Sequence, residues 1–153
     1  MKDLVDLLIK KNITLSSCES FTGGLFASSL TSIPGVSKVF KGSIIAYQND
    51  VKKNLLNINE QIFTEYGVIS DKMALEMAIK TKLLLNTDIC VSFTGNAGPN
   101  CLENKGVGVW FMAIVYKDLS FVYEFCDQGS REVIRIQAVS KAIENILHII
   151  RNN

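Results

Sequence analysis

The spacing of apolar residues switches repeatedly along this chain between the period of a helix and the patterns typical of strands. Helices are predicted over residues 2–10, 22–32, 50–57, 59–65, 70–85 and 131–150. β-Branched and aromatic residues predict strands over residues 12–20, 36–47, 87–93, 106–116 and 119–125, the last two joined as a hairpin. Because helices and strands are interspersed, we predict one α/β domain, residues 1–153, with a mixed sheet covered by helices.

Composition limits the kinds of partner that such a domain can have. Hydrophobic residues make up 48% of the chain and charged residues 20%, which argues against disorder. The formal net charge of +1 provides no overall field toward nucleic acid or a membrane surface, so we expect neither partner. The apolar run at 107–116 is too short to span a bilayer, and the N-terminus reads as an amphipathic helix and not as a signal peptide.

The four cysteines are widely and irregularly spaced, at Cys18, Cys90, Cys101 and Cys126. The sequence contains no CxxC pair and no cluster of cysteine and histidine. We therefore predict neither a metal site nor a disulfide framework, and a reducing cytoplasm is the expected location.

The stretch SCESFTGG, residues 17–24, places a hydroxyl where a strand meets a helix. If Ser20 ends the strand and the helix opens at Thr22-Gly23-Gly24, its first N–H groups favour a developing negative charge. This geometry suits a serine nucleophile or an anion-binding turn. Helix caps and packing glycines explain the same pattern without any chemistry.

A Ser-His-Asp triad is not expected, because the only histidine is His148 in the last helix. If Ser20 is a nucleophile, a lysine with a lowered pKa can accept its proton, and a tyrosine can assist. The stretch YQNDVKK offers Tyr47 and Lys52. On its own, however, Lys52 reads as a solvated surface lysine and Tyr47 as an ordinary strand-end aromatic.

Two further groups of polar residues follow predicted strands or open the last helix. The loop after the strand at 87–93 contains Thr94 and four small or polar residues, Gly95, Asn96, Ala97 and Gly98. Loops in this position bind ligands in α/β folds. Arg131 and Arg135 share one face of the last helix, where they could hold an anion or pair with Asp127 or Glu132.

Six motifs in order resemble the CinA C-terminal domain family, whose stand-alone members include nicotinamide-nucleotide amidases. They are ESFTGG (19–24), PGVSKVFKGSIIAYQNDVK (34–52), YGVIS (66–70), TGNAGP (94–99), KGVGVW (105–110) and GSREVIR (129–135). The resemblance implies a three-layer α/β/α sandwich that hydrolyses nicotinamide mononucleotide to nicotinic acid mononucleotide and ammonia, in NAD salvage, without a metal or cofactor.

The same resemblance implies roles for individual residues. Ser20 matches the nucleophile, Tyr47 and Lys52 match the residues that activate it, and Thr94 matches a position that helps to hold the reacting carbonyl. Backbone N–H groups after Ser20 and around Gly95–Gly98 are expected to stabilise the oxyanion. One of the two arginines is expected to hold the 5′-phosphate, and Glu19 is expected either to fix the turn or to neighbour Lys52. The expected substrate-binding residues are Glu19, Thr22, Gly23, Gly24, Gly95, Asn96, Ala97, Gly98, Arg131 and Arg135.

Two departures from the family pattern keep a second hypothesis open. Phe21 stands beside the nucleophile where the family usually has cysteine, and the loop after Pro99 is shorter and poorer in glycine. The alternative is a nucleotide-binding member of the same family that has weakened or lost turnover. In either case we expect a homodimer.

Overall fold

The structure is a computed structural model that describes all 153 residues. Six α-helices and five strands follow one another in the order predicted from the sequence. The elements are α1 (Lys2–Lys11), β1 (Leu15–Glu19), α2 (Leu25–Thr31), β2 (Phe40–Ile45), α3 (Asn49–Asn54), α4 (Glu60–Glu65), α5 (Asp71–Leu85), β3 (Ile89–Gly95), β4 (Val109–Tyr116), β5 (Leu119–Cys126) and α6 (Arg131–Asn152).

The five strands form one mixed sheet in the order β2-β1-β3-β4-β5. β1 runs parallel to β2 and β3, whereas β4 is antiparallel to β3 and to β5. The predicted hairpin is confirmed, since Tyr116 pairs with Leu119 across the turn at Lys117 and Asp118. Because β1, β2 and β3 are parallel, their carboxyl ends lie at one edge of the sheet.

Helices cover both faces of the sheet, which confirms the three-layer α/β/α architecture. One face packs against α1, α2 and α6 through a cluster of 25 buried hydrophobic residues. The other face packs against α5 and the α3–α4 segment through two clusters of seven residues each. At about 25 cal/mol per Å² of apolar surface, burial on both faces dominates the stability of such a sheet. No helix has both the length and the apolar character needed to cross a membrane.

Among the predicted boundaries that differ from the structure, two lie next to glycines. Helix α2 begins at Leu25 and not at Thr22, because Gly23 and Gly24 have φ values of 57° and 92°, which an α-helix does not contain. Residues 36–38 form a 3-10 turn after Gly35, so β2 begins only at Phe40. The β-branched Val36 and Val39 are buried by this turn, and tertiary packing overrides their strand propensity.

Candidate active site

Ser20 lies in a tight turn, residues 20–24, between β1 and α2, which we call the nucleophile turn. The Ser20 N–H donates to the Phe93 carbonyl on β3 at 3.0 Å, and the Gly23 N–H donates back to the Ser20 carbonyl at 3.0 Å. These bonds attach the turn to the central strand. The Ser20 hydroxyl therefore lies at the carboxyl edge of the sheet, where parallel α/β sheets bind ligands.

The buried carboxylate of Glu19 holds the start of α2. It accepts N–H bonds from Gly24, Phe26 and Ala27 at 3.0, 3.1 and 2.9 Å. A carboxylate at a helix N-terminus satisfies amides that have no intrahelical partner and interacts favourably with the helix dipole. Glu19 is fully buried and lines neither hollow around Ser20. It therefore fixes the turn, and the structure does not support the predicted contact with substrate.

Of the amides that follow Ser20, only some are free to bind an oxyanion. Those of Gly24 and of the first residues of α2 are engaged by Glu19. The N–H groups of Phe21 and Thr22, which directly follow Ser20, donate to no acceptor within the protein. The Thr22 hydroxyl is also buried without a hydrogen-bond partner. The free N–H donors therefore directly follow Ser20 in the chain and precede the amides at the start of α2.

Lys52, on α3, is buried beside Ser20. Its side chain is only 2% exposed, and its Nζ donates to the Ser20 Oγ at 3.3 Å and to the Tyr47 carbonyl at 3.5 Å. Burial lowers the pKa of Lys52, and weaker interactions with Cys18 and Glu103 act in the opposite direction. Residue statistics alone placed Lys52 on the surface, and that interpretation was wrong. The lowered pKa and the short distance are what a lysine general base requires.

The Tyr47 hydroxyl forms no hydrogen bond with Ser20 or Lys52. The side chain of Tyr47 is 51% exposed, and its hydroxyl accepts a bond from Arg131 Nη2 at 2.8 Å. Only its backbone carbonyl contacts Lys52. In this arrangement the Tyr47 hydroxyl is thus bonded to Arg131, and a role for it in activating Ser20 stays a prediction.

The two arginines of α6 have different partners. Arg131 Nη1 donates to the Gly98 carbonyl at 2.7 Å and lines the pocket beside Ser20. Arg135 donates twice to the Thr22 carbonyl, from Nε at 3.2 Å and Nη2 at 2.6 Å, so it supports the nucleophile turn.

The alternative partners of these arginines, Asp127 and Glu132, form no ion pair with them. Asp127 instead binds Lys141 and the Trp110 indole. The alternative explanation of the two arginines by local salt bridges was therefore wrong. Of the two, only Arg131 is placed to meet a ligand directly.

The loop after β3, residues 96–108, closes the opposite side of the site, and we call it the site loop. The Asn96 side chain binds the backbone of Leu102 and Lys105 across this loop, and Gly95 lies so close to β4 that a Cβ would meet Trp110 at 2.2 Å. The N–H groups of Ala97 and Gly98 have no acceptor within the protein. Thr94 donates its hydroxyl to the Val68 carbonyl at 2.5 Å, so its proton is already engaged.

Two hollows meet at Ser20. The smaller, about 130 Å³, is lined by Ser20, Phe21, Tyr47, Gly95, Asn96, Ala97, Gly98, Asn100, Leu102 and Arg131. The larger, about 410 Å³, is lined by Ser20, Tyr47, Gln48, Asn49, Val68, Ile69, Thr94, Gly95, Leu102 and Glu103. Gly23, Gly24 and Thr22 line neither, so they shape the turn without facing the hollows.

Phe21 both packs into the core and forms part of the pocket wall. It is 5% exposed, and its ring centroid lies 5.7 Å from that of Trp110. Most of the bulk that replaces the usual cysteine is therefore taken up by the core.

Sequence reasoning missed Glu103, Val68 and Ile69 as residues around the site. The Glu103 carboxylate accepts N–H bonds from Val68 and Ile69, which lie more than thirty positions earlier in the chain. No local pattern links such distant segments. The backbone of Glu103 is also unusual, because its φ of 57° is rare for a residue other than glycine. No group of three or more His, Cys, Asp or Glu side chains is close enough together to hold a metal ion.

Comparison with known proteins agrees with this architecture. The sequence profile of the CinA C-terminal domain matches residues 1–150. A relative in Bacillus cytotoxicus, named as a competence-damage inducible protein, is 45% identical over 88% of this chain, which spans 33% of that protein. The "Protein MG115 homolog" of Mycoplasma pneumoniae is 38% identical over 96% of this chain and 94% of its own length.

Solved structures show the same fold. A CinA superfamily protein of Klebsiella pneumoniae superposes with a TM-score of 0.97, covering 99% of this chain and 96% of its own, at 21% identity. The competence/damage-inducible protein CihA of Agrobacterium tumefaciens superposes with a TM-score of 0.89, covering 98% of this chain and 94% of its own, at 29% identity.

Proposed function

The chain belongs to the CinA C-terminal domain family, and from the arrangement around Ser20 we propose that it is an amidohydrolase acting on the carboxamide of nicotinamide mononucleotide. The observation that carries the proposal is the buried Lys52 ammonium group, 3.3 Å from the Ser20 hydroxyl, with its pKa lowered by burial. A lysine kept out of solvent beside a serine at a strand end has little structural purpose, because an unpaired buried charge is costly.

In the proposed reaction, neutral Lys52 accepts the Ser20 proton while Ser20 Oγ attacks the carboxamide carbon. The oxyanion is stabilised by the free N–H group of Phe21, and the free N–H groups of Ala97 and Gly98 border the same pocket. The Lys52 ammonium then protonates the leaving amine, and the C–N bond breaks to release ammonia.

Hydrolysis completes the cycle. Lys52 takes a proton from water as the water attacks the Ser20 ester, and it returns this proton to Ser20 Oγ as the ester bond breaks to give nicotinic acid mononucleotide and free Ser20. The net reaction adds one water to the carboxamide and needs no oxidant or metal. We propose that Arg131 holds the 5′-phosphate, because its guanidinium lines the pocket and can form paired bonds to phosphate oxygens. A cytoplasmic location and a homodimer remain part of this proposal.

The decisive experiment is ammonia release from nicotinamide mononucleotide by the wild-type protein and by Ser20→Ala. We expect release by the wild type and a loss of at least about 10³-fold in kcat for the variant. Equal activity in the two proteins would rule out Ser20 as nucleophile. A folded wild type that binds the mononucleotide without releasing ammonia would instead favour a nucleotide-binding module, with Phe21 as the first residue to revert to cysteine.

A further inference from the structure

The site loop is docked against the turn that precedes α5, residues 67–69. Glu103 Oε1 accepts the Val68 N–H at 2.7 Å and Oε2 accepts the Ile69 N–H at 3.0 Å. From the same loop, the Lys105 ammonium donates to the Ile69 carbonyl. One carboxylate therefore carries two charge-assisted bonds between segments that are far apart in sequence.

Gly67 makes room for this carboxylate. Its φ is 81°, and a Cβ added to it would lie 2.6 Å from Glu103 Oε2. Such a distance is far below van der Waals contact, so the backbone of the turn and the carboxylate fit directly against each other.

The site loop adopts a costly backbone to bring Glu103 into this position. Glu103 and Asn104 have φ values of 57° and 56°, in the left-handed region that disfavours residues with a Cβ. Two successive residues remain there only where the surroundings hold them, and the contacts of Glu103 and Lys105 with the 67–69 turn supply that hold.

Glu103 also borders the hollow beside the nucleophile. It lines the larger hollow together with Ser20. The ionisable side chains that act on Lys52 are Cys18 from β1 and Glu103 from the site loop. Burial raises the pKa of the Cys18 thiol to about 12, so this thiol is neutral near pH 7. The Tyr47 hydroxyl, which borders the same hollow, is bonded to the Arg131 guanidinium.

We propose that Glu103 is a positioning residue of the Ser20 site, which fixes one wall of the larger hollow and holds a carboxylate at that wall. This inference rests on the proposed function, in which Lys52 carries a proton after Ser20 attacks. In that step the fixed carboxylate stabilises the ammonium ion that forms, without reorganising.

The test compares Glu103→Gln and Glu103→Asp with the wild type by two measurements that need no substrate. One is amide hydrogen exchange at Val68 and Ile69. The other is an NMR titration of Lys52 in protein labelled with ¹³C at lysine Cε, its signal assigned by its loss in Lys52→Met. Glu103→Gln keeps the shape but loses the charge and one acceptor oxygen, whereas Glu103→Asp keeps the charge and shortens the reach.

For Glu103→Gln we expect exchange at Val68 or Ile69 to be about tenfold faster or more, as for loss of a hydrogen bond to a charged group. We also expect the Lys52 titration midpoint to move to lower pH, because the charge that favours the ammonium form is gone. Glu103→Asp should speed exchange while keeping the midpoint nearer to that of the wild type.

Lys105→Met is the matched control, because it weakens the same docking but removes a positive charge. It should speed exchange at Ile69 without moving the Lys52 midpoint to lower pH. Unchanged exchange in Glu103→Gln would overturn the positioning role, and an unchanged Lys52 midpoint would overturn the electrostatic one.

Ammonia release then separates this inference from the proposed function. In an active enzyme, the rising limb of the pH profile of Glu103→Gln should move to lower pH together with the Lys52 midpoint, and kcat should fall more than KM rises. If the wild type releases no ammonia, the proposed function fails, while exchange and titration still decide whether Glu103 holds the turn and acts on Lys52.

Discussion

At the scale of single residues, Lys52 is the side chain whose placement is hardest to explain by stability. Its long side chain fills space beside Cys18 in the layer covered by α5, yet its ammonium end has no carboxylate in contact. Burying a cation in this way opposes folding, and such opposition is common where function requires a destabilised group. Two predictions follow from the Lys52 side chain.

The first concerns Lys52→Met, which keeps the length of the side chain and removes its charge. We expect kcat to fall by about 10² to 10⁴-fold, because the general base is lost. We expect the melting temperature to stay equal to or rise above that of the wild type. Activity assays and thermal unfolding measure both. Lys53→Met is the control, since the ammonium of the half-exposed Lys53 pairs with Glu60 and lies over the Phe63 ring, and the activity of this variant should remain that of the wild type.

The stability difference between Lys52→Met and the wild type should also depend on pH. The pKa of Lys52 is lower in the folded protein than its ordinary value of 10.5, so the unfolded chain binds the proton more tightly. Wild-type stability therefore falls as the pH drops from about 10.5 to the folded pKa and is constant below it, and the advantage of the variant grows over the same interval. A variant less stable than the wild type at every pH would show that the charge of Lys52 is not a burden on the fold.

The second prediction concerns the pH dependence of ammonia release. Neutral Lys52 is the active form, so kcat/KM should rise with pH and level off above the pKa of Lys52. Because burial lowers that pKa, the midpoint of the rise should lie below 10.5. A pH series of initial rates with nicotinamide mononucleotide gives the midpoint. A rate that rises only at the ordinary lysine value would mean that Lys52 is not the base.

At the scale of elements, the first turn of α6 uses its two arginines in separate tasks. Arg131 bridges the Tyr47 hydroxyl and the Gly98 carbonyl across the mouth of the smaller hollow. Arg135, one turn later, binds the Thr22 carbonyl from behind the nucleophile turn. Both cations lie near the N-terminus of a helix, where the dipole disfavours them, so each needs a specific partner.

The third prediction separates these tasks by substitution. Arg131→Gln should raise KM for nicotinamide mononucleotide about 10- to 100-fold, as for the loss of charge-assisted bonds to a phosphate, while having little effect on the nucleoside without a phosphate. Arg135→Gln should lower kcat for both substrates and reduce stability, because the Thr22 carbonyl loses its donors. Steady-state kinetics with the two substrates measure this. Equal effects of the two variants on both substrates would contradict a phosphate contact by Arg131.

At the scale of the whole molecule, the sheet explains which parts of the site could be predicted from the sequence. Ser20, Tyr47 and Thr94 each follow or end a predicted strand, and parallel β1, β2 and β3 bring these strand ends to one edge. The periodicity of apolar residues was therefore enough to predict the sheet and the edge of it where the site lies. The motif resemblance was needed to select Lys52, because nothing local distinguishes it from the half-exposed Lys53.

The parts that sequence reasoning missed are those that depend on contacts between distant segments. Glu19 ends β1 like a site residue, yet its carboxylate satisfies the amides of α2, since the helix begins three residues later than predicted. Glu103 lies in a loop with no periodic pattern, and its partners on the 67–69 turn become visible only in the folded chain. The roles of Glu19 and Glu103 both depend on the direction in which the side chain points, which the position along the sequence does not reveal.

The fourth prediction uses the stability of the whole molecule as a measure of binding, independent of turnover. A ligand that binds only the folded state stabilises it by about 2.7 kcal/mol at a concentration of 100 times its Kd. For a domain of about this size, that corresponds to a rise in melting temperature of roughly 5–10 °C. Nicotinamide mononucleotide should produce such a rise in Ser20→Ala, which keeps the pocket but cannot form the ester.

Arg131→Gln combined with Ser20→Ala provides the control, because it removes the proposed phosphate contact and should lose most of the rise at the same ligand concentration. The nucleoside should stabilise Ser20→Ala less than the mononucleotide does, and nicotinamide alone less again, since each step removes contacts with the pocket. If millimolar mononucleotide leaves the melting temperature of folded Ser20→Ala unchanged, the two hollows at Ser20 do not bind this nucleotide. Sizeable stabilisation by the nucleoside and none from the added phosphate would retain the carboxamide site but exclude Arg131 from binding.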